Sequence, residues 1–220
     1  MISHKKFVFN PFQENTSVLW NQMGDCIILD PGCSSKAEEN QLLDFIRNQH
    51  LRPVGIWLTH CHIDHVLGLD FCLKLWKIPY YLHPYEAQQL KAVEAYAPAY
   101  GFHDFKLPEN DGIAIESEII DLGIEQFRIL FVPGHSPGHL AFYHSESAQI
   151  WAGDVLFQNS VGRTDLPGGD FSRLEDSIRT VLYALPDETT VHPGHGPATS
   201  IGHEKKFNAF IPEKKRNPSF

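Results

Sequence analysis

The clustering of apolar residues predicts short β-strands through the first third of the chain. Strand-like runs at residues 5–9, 16–21 and 26–30 are each cut by turn-forming residues, as strands in a sheet usually are. Residues 54–58 form a continuous apolar run between Pro53 and Thr59, a pattern typical of a strand buried on both faces. This part of the chain therefore predicts a sheet that includes a buried strand.

Helical periodicity follows the strands. Leu42, Leu43 and Ile46 recur at helical spacing, and Ser35 and Glu38 have the spacing of a capping box, so a helix is predicted to begin near Ser35. Further helices are predicted at residues 66–75, from Pro84, from Ser172 with Glu175 at capping-box spacing, and at residues 201–208.

The second half of the chain repeats the order of strands followed by helices. A short strand is predicted at residues 80–82 of the first half, and further strands at residues 119–122, 126–131, 140–144, 149–153 and 189–191 of the second. Residues 96–111 show no periodicity, and either a lid-like loop over a pocket or a packed connector fits them. No internal repeat or low-complexity linker divides the sequence, so we predict a single α/β domain over residues 1–220, with helices packed outside sheets.

Composition narrows the class of protein. The chain has 220 residues, 42% of them hydrophobic, which suits one domain with a sizeable core. Its formal net charge is −9, and the concentrated basic run at residues 213–216 is interpreted as a solvated end, so no nucleic-acid partner is expected. The chain has neither a long apolar run nor a signal-peptide pattern, and its four cysteines form no Cys-x-x-Cys pair. We therefore expect a cytoplasmic protein with reduced thiols and no membrane partner.

Histidine is the unusual part of the composition, with 13 residues, and a cluster of them follows the buried strand. His60, His62, Asp64 and His65 lie within six residues of one another. Imidazole nitrogens and carboxylate oxygens suit zinc, iron or manganese, and an irregular turn after a strand lets such side chains converge. A lone histidine is more often a core or surface residue, but four ligand-type residues at this spacing favour a metal site.

Three further polar residues follow strand-like runs at comparable positions. His135 lies in a turn rich in Gly and Pro, Asp154 directly follows residues 150–153, and His195 lies past another short strand. Sites commonly form at strand ends, so these three residues are candidates for the remaining ligands. A structural zinc in a binding module is a weaker alternative, because structural sites are usually closed clusters of four ligands rich in Cys.

The combined motif resembles the metallo-β-lactamase superfamily along essentially the whole chain. Thr-His-x-His-x-Asp-His at residues 59–65 is followed by His135, Asp154 and His195 in that order, and Asp30-Pro31-Gly32 resembles the early aspartate motif of the superfamily. The resemblance implies an αββα sandwich with the site at the edge between the two sheets. It also implies that Asp30 supports the ligands from behind.

By the same resemblance, the site holds two divalent metal ions, with zinc favoured and iron or manganese as alternatives. The ligands implied for the first ion are His60, His62 and His135; those for the second are Asp64, His65 and His195, with Asp154 bridging both. Asp64 and Asp154 are thereby expected to take part in catalysis. The carboxylate at Asp64 favours a substrate other than a β-lactam, because the commonest true β-lactamases carry a different ligand set.

Two segments make the resemblance closest to the short bacterial type of glyoxalase II. They are residues 153–165, with Gly-Asp-Val-Leu-Phe and Gly-Arg-Thr-Asp, and residues 193–204, with Pro-Gly-His-Gly-Pro. Such enzymes hydrolyse small acyl-thioesters such as S-lactoylglutathione, and the resemblance implies attack by a metal-bridging hydroxide. Full-length glyoxalase II binds glutathione with a further helical domain, so the thiol carrier is left open.

Three assignments also stay open. Arg163 either pairs with a substrate carboxylate or is a structural residue bonded to Asp165. His139 either orients a metal ligand or is a hydrogen-bonded structural group. A mononuclear iron persulfide dioxygenase of the same superfamily is the alternative to a hydrolase, since such enzymes also carry Gly-Arg-Thr-Asp, as at residues 162–165. Pro-Gly-His-Gly-Pro at residues 193–197 favours the hydrolase.

Overall fold

Two facing β-sheets form the centre of the computed structural model, which describes residues 2–212. Within those residues each of the two sheets has six strands, and two further strands form a ribbon. One group of helices packs on the outer face of each sheet, so the layers run helix, sheet, sheet, helix. The αββα sandwich that the sequence implied is confirmed.

The first sheet contains strands β1 to β6 in sequence order. They are Ser3–Phe9, Glu14–Trp20, Asp25–Leu29, Arg52–Trp57, Tyr80–Leu82 and Ile113–Ala114. β1, β2 and β3 are antiparallel neighbours, whereas β3 to β6 run parallel. Parallel neighbours need crossover connections. Helices α1 (Lys36–Asn48), α2 (Ile63–Val66), α3 (Leu69–Trp76) and α4 (Glu86–Tyr96) supply them, and a 3-10 helix at Ala97–Tyr100 extends α4.

The second sheet has the order β14-β13-β10-β9-β8-β7. Its strands are β7 (Ile119–Leu122), β8 (Glu125–Phe131), β9 (Leu140–His144), β10 (Gln149–Gly153), β13 (Thr190–Pro193) and β14 (Thr199–Ser200). The ribbon of β11 (Leu156–Phe157) and β12 (Ser160–Val161) follows β10 along the chain. Helix α5 (Phe171–Asp176) continues as a π-helix at Ser177–Leu182, and α6 (Ile201–Phe207) closes the described chain.

Large aromatic side chains fill the space between the two sheets. The Trp57 ring, from β4, lies 5.1 Å from the ring of Phe127 and 5.1 Å from that of Phe142, which belong to the opposite sheet. Trp151 of β10 joins the same cluster and is almost fully buried. Burial of such rings contributes strongly to the hydrophobic stabilisation. The two sheets are thereby held at a fixed separation, and the site forms at their common edge.

Helix α1 begins as the capping-box spacing predicted. The Ser35 side chain accepts the Glu38 backbone N–H, and the Glu38 carboxylate accepts the Ser35 backbone N–H at 3.1 Å. The helix predicted at residues 66–75 is instead two helices, α2 and α3, which are separated at Leu67 and Gly68. Because α2 begins at Ile63, the second pair of ligand candidates lies on a helical turn.

The start of α5 differs from the prediction. The cap is Asp170, whose side chain accepts the Arg173 backbone N–H at 3.1 Å, and Ser172 lies inside the first turn. The expected capping partner, Glu175, pairs with Arg179 at 2.8 Å instead. Asp170 has the extended backbone that a cap residue requires, so the helix begins two residues earlier than the spacing of Ser172 suggested.

The basic run at residues 213–216 lies outside the described residues. Between residues 2 and 212 no helix has both the length and the apolar character needed to cross a bilayer. The four cysteines are buried as free thiols within the core.

Replacement of the α5 cap distinguishes the two candidate cap residues. Asp170→Ala is expected to lower the free energy of unfolding by about 1 kcal/mol, because the first turn loses its N–H acceptor. Ser172→Ala, the matched control, is expected to change it by less than about 0.5 kcal/mol, since Ser172 is exposed. Urea unfolding of the chelator-treated protein measures both, and an equal or larger loss in Ser172→Ala contradicts the assignment of the cap.

Candidate metal centre

The candidate ligands meet where four strands end at one edge of the sandwich. β4 ends at Trp57 before His60, β8 at Phe131 before His135, β10 at Gly153 before Asp154, and β13 at Pro193 before His195. Three of these strands, β4, β10 and β13, have a parallel neighbour, and parallel neighbours end at the same edge, so loops from both sheets converge there. All seven ligand candidates named from the sequence lie in this one region.

Three imidazole nitrogens face one another in the first cluster, formed by His60, His62 and His135. His60 Nε2 lies 3.1 Å from His62 Nδ1 and 3.2 Å from His135 Nε2, and the latter two nitrogens are 2.8 Å apart. Nitrogens bound to one tetrahedral zinc at ~2.0–2.1 Å lie ~3.3 Å from each other. The triangle therefore has nearly the size that a shared cation requires.

Hydrogen bonds behind this cluster decide which ring nitrogens carry protons. The Thr59 hydroxyl donates to Asp30 Oδ2 at 2.6 Å, so Thr59 Oγ1 accepts the Nδ1–H of His60 at 3.0 Å. The Arg163 carbonyl accepts the Nδ1–H of His135 at 2.7 Å. His60 and His135 consequently present Nε2 lone pairs to each other. Two facing lone pairs repel, and a cation between them reverses that repulsion.

Carboxylates join the histidines in the second cluster, formed by Asp64, His65 and His195. Asp64 Oδ2 lies 3.0 Å from His195 Nε2 and 3.7 Å from His65 Nε2. Asp154 contacts both clusters: its Oδ1 is 3.4 Å from His65 Nε2, and its Oδ2 is 3.4 Å from His195 Nε2 and 3.6 Å from His135 Nε2. A carboxylate shared in this way suits two cations held close together.

The ring nitrogens in the second cluster are oriented from behind as well. His65 Nδ1 contacts Asp30 Oδ2 at 3.1 Å, and His195 Nδ1 contacts the Phe12 carbonyl at 3.1 Å. Both rings therefore turn Nε2 toward the carboxylates. Among the described residues, buried His65 Nε2 and Asp154 Oδ1 have no hydrogen-bond partner. Unpaired buried polar atoms are costly, and these two are atoms that a metal ion would bind.

The pKa values in the centre show where positive charge is favoured. Burial lowers the pKa of His65, yet the Asp154 and Asp64 carboxylates raise it overall well above its ordinary value. The same two carboxylates outweigh burial at His195 and raise its pKa to about 9. In the first cluster burial lowers the pKa of His62 to about 3, which keeps that ring neutral. Neutral imidazoles on one side and carboxylates on the other fit a pair of divalent cations.

The Asn15 side chain joins the two sheets beside the centre, a contribution that the sequence pattern did not reveal. Asn15 at the start of β2 donates its backbone N–H to the Gly194 carbonyl at 2.7 Å. Its side-chain amide donates to the carbonyls of Pro193 and Gly196, both at 2.9 Å. The loop that carries His195 is thereby fixed to the opposite sheet. Gly194 has no room for a side chain, which would collide with the Asp154 carboxylate and the His65 ring.

Glu86 joins the two loops that carry the first cluster, and it too was missed from the sequence. This buried carboxylate on α4 accepts the Cys61 N–H at 2.8 Å through Oε2. Its Oε1 accepts the Gly138 N–H at 2.7 Å and also the Ser136 hydroxyl. Burial raises the pKa of the Glu86 carboxyl above its ordinary value, and these three donors only partly oppose that rise. One side chain thus holds residues 61 and 136–138 in a fixed relation.

His139 orients a ligand, which resolves one of the open assignments. Its ring stacks on that of His60, with centroids 4.7 Å apart and planes 21° from parallel. His139 Nε2 accepts the backbone N–H of Asp154 at 3.1 Å. The ring therefore supports one residue of the first cluster by packing and fixes the backbone of the shared carboxylate.

Arg163 borders the centre in a bidentate pair with Asp165. Its Nε and Nη2 each lie 2.7 Å from one of the two Asp165 carboxylate oxygens, and both side chains are exposed. The backbone carbonyl of Arg163 contributes to the centre directly, because it accepts the Nδ1–H of His135 and so sets the tautomer of that ring. The structure thus favours the structural interpretation of the side chain, and substrate binding by Arg163 remains a prediction.

A cavity of about 710 Å³ opens onto the metal-ligand candidates, within the range typical of small-molecule sites. Five of the seven candidates line it: His62, Asp64, His135, Asp154 and His195. Residues 96–111, whose sequence fits either a lid-like loop or a packed connector, divide between those roles. Tyr96 and Tyr100 line the cavity, whereas Phe102, Phe105 and Leu107 pack against the core.

Comparison with known proteins agrees with this architecture. The family model of the metallo-beta-lactamase superfamily matches residues 9–195. A hydroxyacylglutathione hydrolase, GloC, from Haemophilus influenzae is 36% identical, with 92% of this chain and 95% of that protein covered. The crystal structure of TTHA1623 in a di-iron-bound form is 38% identical, with a TM-score of 0.84 and coverage of 94% and 100%. That of BLEG-1, a B3 metallo-beta-lactamase, is 34% identical, with a TM-score of 0.86 and coverage of 95% and 99%.

The chain belongs to the metallo-β-lactamase superfamily. Its clusters of histidine and aspartate at the edge of the sandwich are groups that suit metal ions. Relatives at this level of identity support a metal-dependent hydrolase.

Purified protein reconstituted with zinc, manganese or iron is expected to hold about two ions per chain, because two clusters of ligand atoms share Asp154. His195→Ala is expected to retain about one ion, since only the second cluster loses a ligand. His103→Ala, which removes an exposed histidine away from the cavity, serves as the control and should retain two. Elemental analysis measures the number of metal ions per chain. A metal-saturated parent protein that holds a single ion would contradict the two-ion assignment.

Replacement of Glu86 by Gln tests its role between the ligand loops. In this variant an NH₂ group replaces one of the two carboxylate oxygens. That group then faces the N–H of Cys61 or of Gly138, so at least one of the three hydrogen bonds becomes a donor–donor contact. We expect Glu86→Gln to weaken metal retention by roughly 10- to 100-fold in a chelator competition, as loss of a ligand-orienting group usually does. Glu94→Gln, an exposed position on the same helix, should leave it unchanged. Equal metal retention in both variants would show that the hydrogen bonds of Glu86 do not position the ligands.

Proposed function

We propose that this protein hydrolyses small acyl-thioesters with the help of two divalent metal ions, for which zinc is the expected metal. The residues proposed to hold the ions are His60, His62, His135, Asp64, His65, His195 and the shared Asp154. The single observation that carries the proposal is the contact of one carboxylate, Asp154, with histidines of both clusters in the lining of a cavity. The similarity to a protein named as a hydroxyacylglutathione hydrolase supports the thioester as substrate.

The bound ions would lower the pKa of a water molecule and polarise the thioester carbonyl. The chain itself supplies the carboxylate charge that would balance the ions, and it holds the ligand side chains in their orientations. Burial raises the pKa of Asp154, but His65, His195 and His135 outweigh it and hold the pKa well below its ordinary value. Asp64 is likewise held below its ordinary value, mainly by His65 against the effect of burial. Both carboxylates are therefore ionised near neutral pH, and each can accept a hydrogen bond from a water molecule that enters the cavity.

Water is the nucleophile that the cavity favours. Among the described residues that line it, Ser160 has the only aliphatic hydroxyl, and no histidine or carboxylate accepts a hydrogen bond from that hydroxyl. A serine nucleophile needs such a base within hydrogen-bond reach. No cysteine lines the cavity in this part of the chain. These features support direct hydrolysis without a covalent enzyme intermediate.

The proposed substrate is a small molecule, which the cavity volume of about 710 Å³ can accommodate. The net charge of −9 is unfavourable for a nucleic-acid partner, and the sequence offers no membrane-binding segment. We infer a cytoplasmic enzyme with reduced cysteines.

The metal-reconstituted protein is expected to hydrolyse S-lactoylglutathione or a related small acyl-thioester. Chelation should abolish the activity, and added zinc, manganese or iron should restore it. Asp154→Asn is expected to lower kcat by about 100-fold or more, because the charge that balances both cations is lost. Asp104→Asn, an exposed aspartate in the 96–111 segment, is the control and should match the parent. Release of free thiol, followed with a chromogenic thiol reagent, measures the rate.

Two other activities of the superfamily give distinguishable results in the same preparation. Oxygen consumption with glutathione persulfide, in the absence of thioester cleavage, would replace the hydrolase proposal by the mononuclear iron dioxygenase. Cleavage of a chromogenic β-lactam without thioester cleavage would point to the activity named for BLEG-1.

A further inference from the structure

The cavity is lined mainly by apolar side chains. Nine of the 17 residues that line it are apolar or aromatic, and five others are metal-ligand candidates. We propose, on the basis of the hydrolase function above, that this cavity selects thioesters with an apolar, ring-sized substituent over thioesters without one, such as S-lactoylglutathione. The substituent can belong to the acyl group or to the thiol, and the experiment below distinguishes these sources.

Four aromatic residues form a wall that starts at the metal centre; Phe12, Tyr96, Tyr100 and Phe157 are called the aromatic wall. The Phe157 ring lies 6.2 Å from the ring of His195, whose Nδ1 contacts the Phe12 carbonyl. The Tyr100 ring lies 5.8 Å from that of Phe12 and 6.0 Å from that of Tyr96, both in edge-to-face geometry. A ring that extends from the reacting thioester would therefore meet preformed aromatic surface.

Three cavity-lining residues are polar without being metal-ligand candidates, and two of their side chains are already engaged. Gln89 Nε2 donates to the Pro167 carbonyl at 3.2 Å. The Arg163 guanidinium is bound at both Nε and Nη2 by Asp165. The third is Ser160. Arg163 is thus the single lysine or arginine among the described residues of the lining, and its guanidinium is already paired with Asp165.

Glutathione is poorly matched to such a cavity. It carries two carboxylates and one ammonium group beyond its sulfur, and each needs a partner when it leaves water. An apolar ring, in contrast, gains free energy when it leaves water for the aromatic wall.

Hydrolysis of matched thioesters by the metal-reconstituted enzyme tests the inference. S-lactoylglutathione is compared with the lactoyl thioester of benzyl mercaptan, which changes the thiol, and with S-mandeloylglutathione, which changes the acyl group. We expect at least one ring-bearing substrate to have a kcat/KM about 10-fold or more above that of S-lactoylglutathione, because a ring buries a large apolar area. The ring-bearing substrate with the higher kcat/KM identifies whether the acyl group or the thiol contacts the aromatic wall.

A variant in the aromatic wall connects the preference to the structure. Tyr100 is half exposed and not a ligand candidate, so Tyr100→Ser should fold and bind metal. It is expected to reduce the preference for the ring-bearing substrate by about 5-fold, because part of the apolar contact is removed. Tyr85→Ser, which removes an exposed tyrosine outside this cavity, is the matched control and should retain the parent's preference.

Failure of the inference is distinguishable from failure of the proposed function. Equal kcat/KM values, or a preference for S-lactoylglutathione, overturn the inference and leave the hydrolase intact. A preference unchanged by Tyr100→Ser overturns the assignment to the aromatic wall. If no thioester is cleaved, calorimetric titration of the metal-loaded protein with benzyl mercaptan and with glutathione decides: tighter binding of benzyl mercaptan supports the inference, and equal or weaker binding overturns it.

Discussion

The buried carboxylate of Asp30 is the group on which the metal centre depends. Its Oδ1 accepts the Thr59 backbone N–H at 2.7 Å, and its Oδ2 contacts both the Thr59 hydroxyl and His65 Nδ1. Through Thr59 it also sets the tautomer of His60. One carboxylate therefore orients a histidine of each cluster. It can do so because β3 and β4 are parallel neighbours, so the residue after β3 lies beside the start of the ligand loop that follows β4.

The two halves of the chain supply different ligands, and a few polar side chains keep those halves in register. Glu86 joins the loop after β4 to the loop after β8, and Asn15 joins β2 to the loop after β13. A buried polar group is stabilising only when its hydrogen bonds are made. Glu86 accepts from three donors, and the amide of Asn15 donates to two carbonyls. The sandwich core sets the separation of the sheets, and these side chains set the finer position of the ligands.

The sequence predicted the strands and the ligand candidates better than it predicted their supports. Ligand types in close spacing, such as His60 and His62, carry a chemical signal, and apolar runs such as residues 54–58 carry a structural one. Glu86 carries neither signal, because it lies on a helix 25 residues from Cys61 and meets its partners only in the folded chain. The α5 cap was misplaced for a related reason: Asp170 and Ser172 are both good cap residues, and the backbone conformation decides between them.

Chemistry and substrate recognition come from different kinds of segment in this fold. The ligand candidates follow strands of the two sheets, where neighbouring strands restrict backbone movement. The aromatic wall comes instead from connecting segments: the β1–β2 turn, the end of α4 with its 3-10 extension, and the β11–β12 ribbon. Connecting segments tolerate changes in sequence and length more readily than the sheets they join. A shared metal centre can therefore serve relatives named for different activities, because the wall can change while the ligands keep their positions.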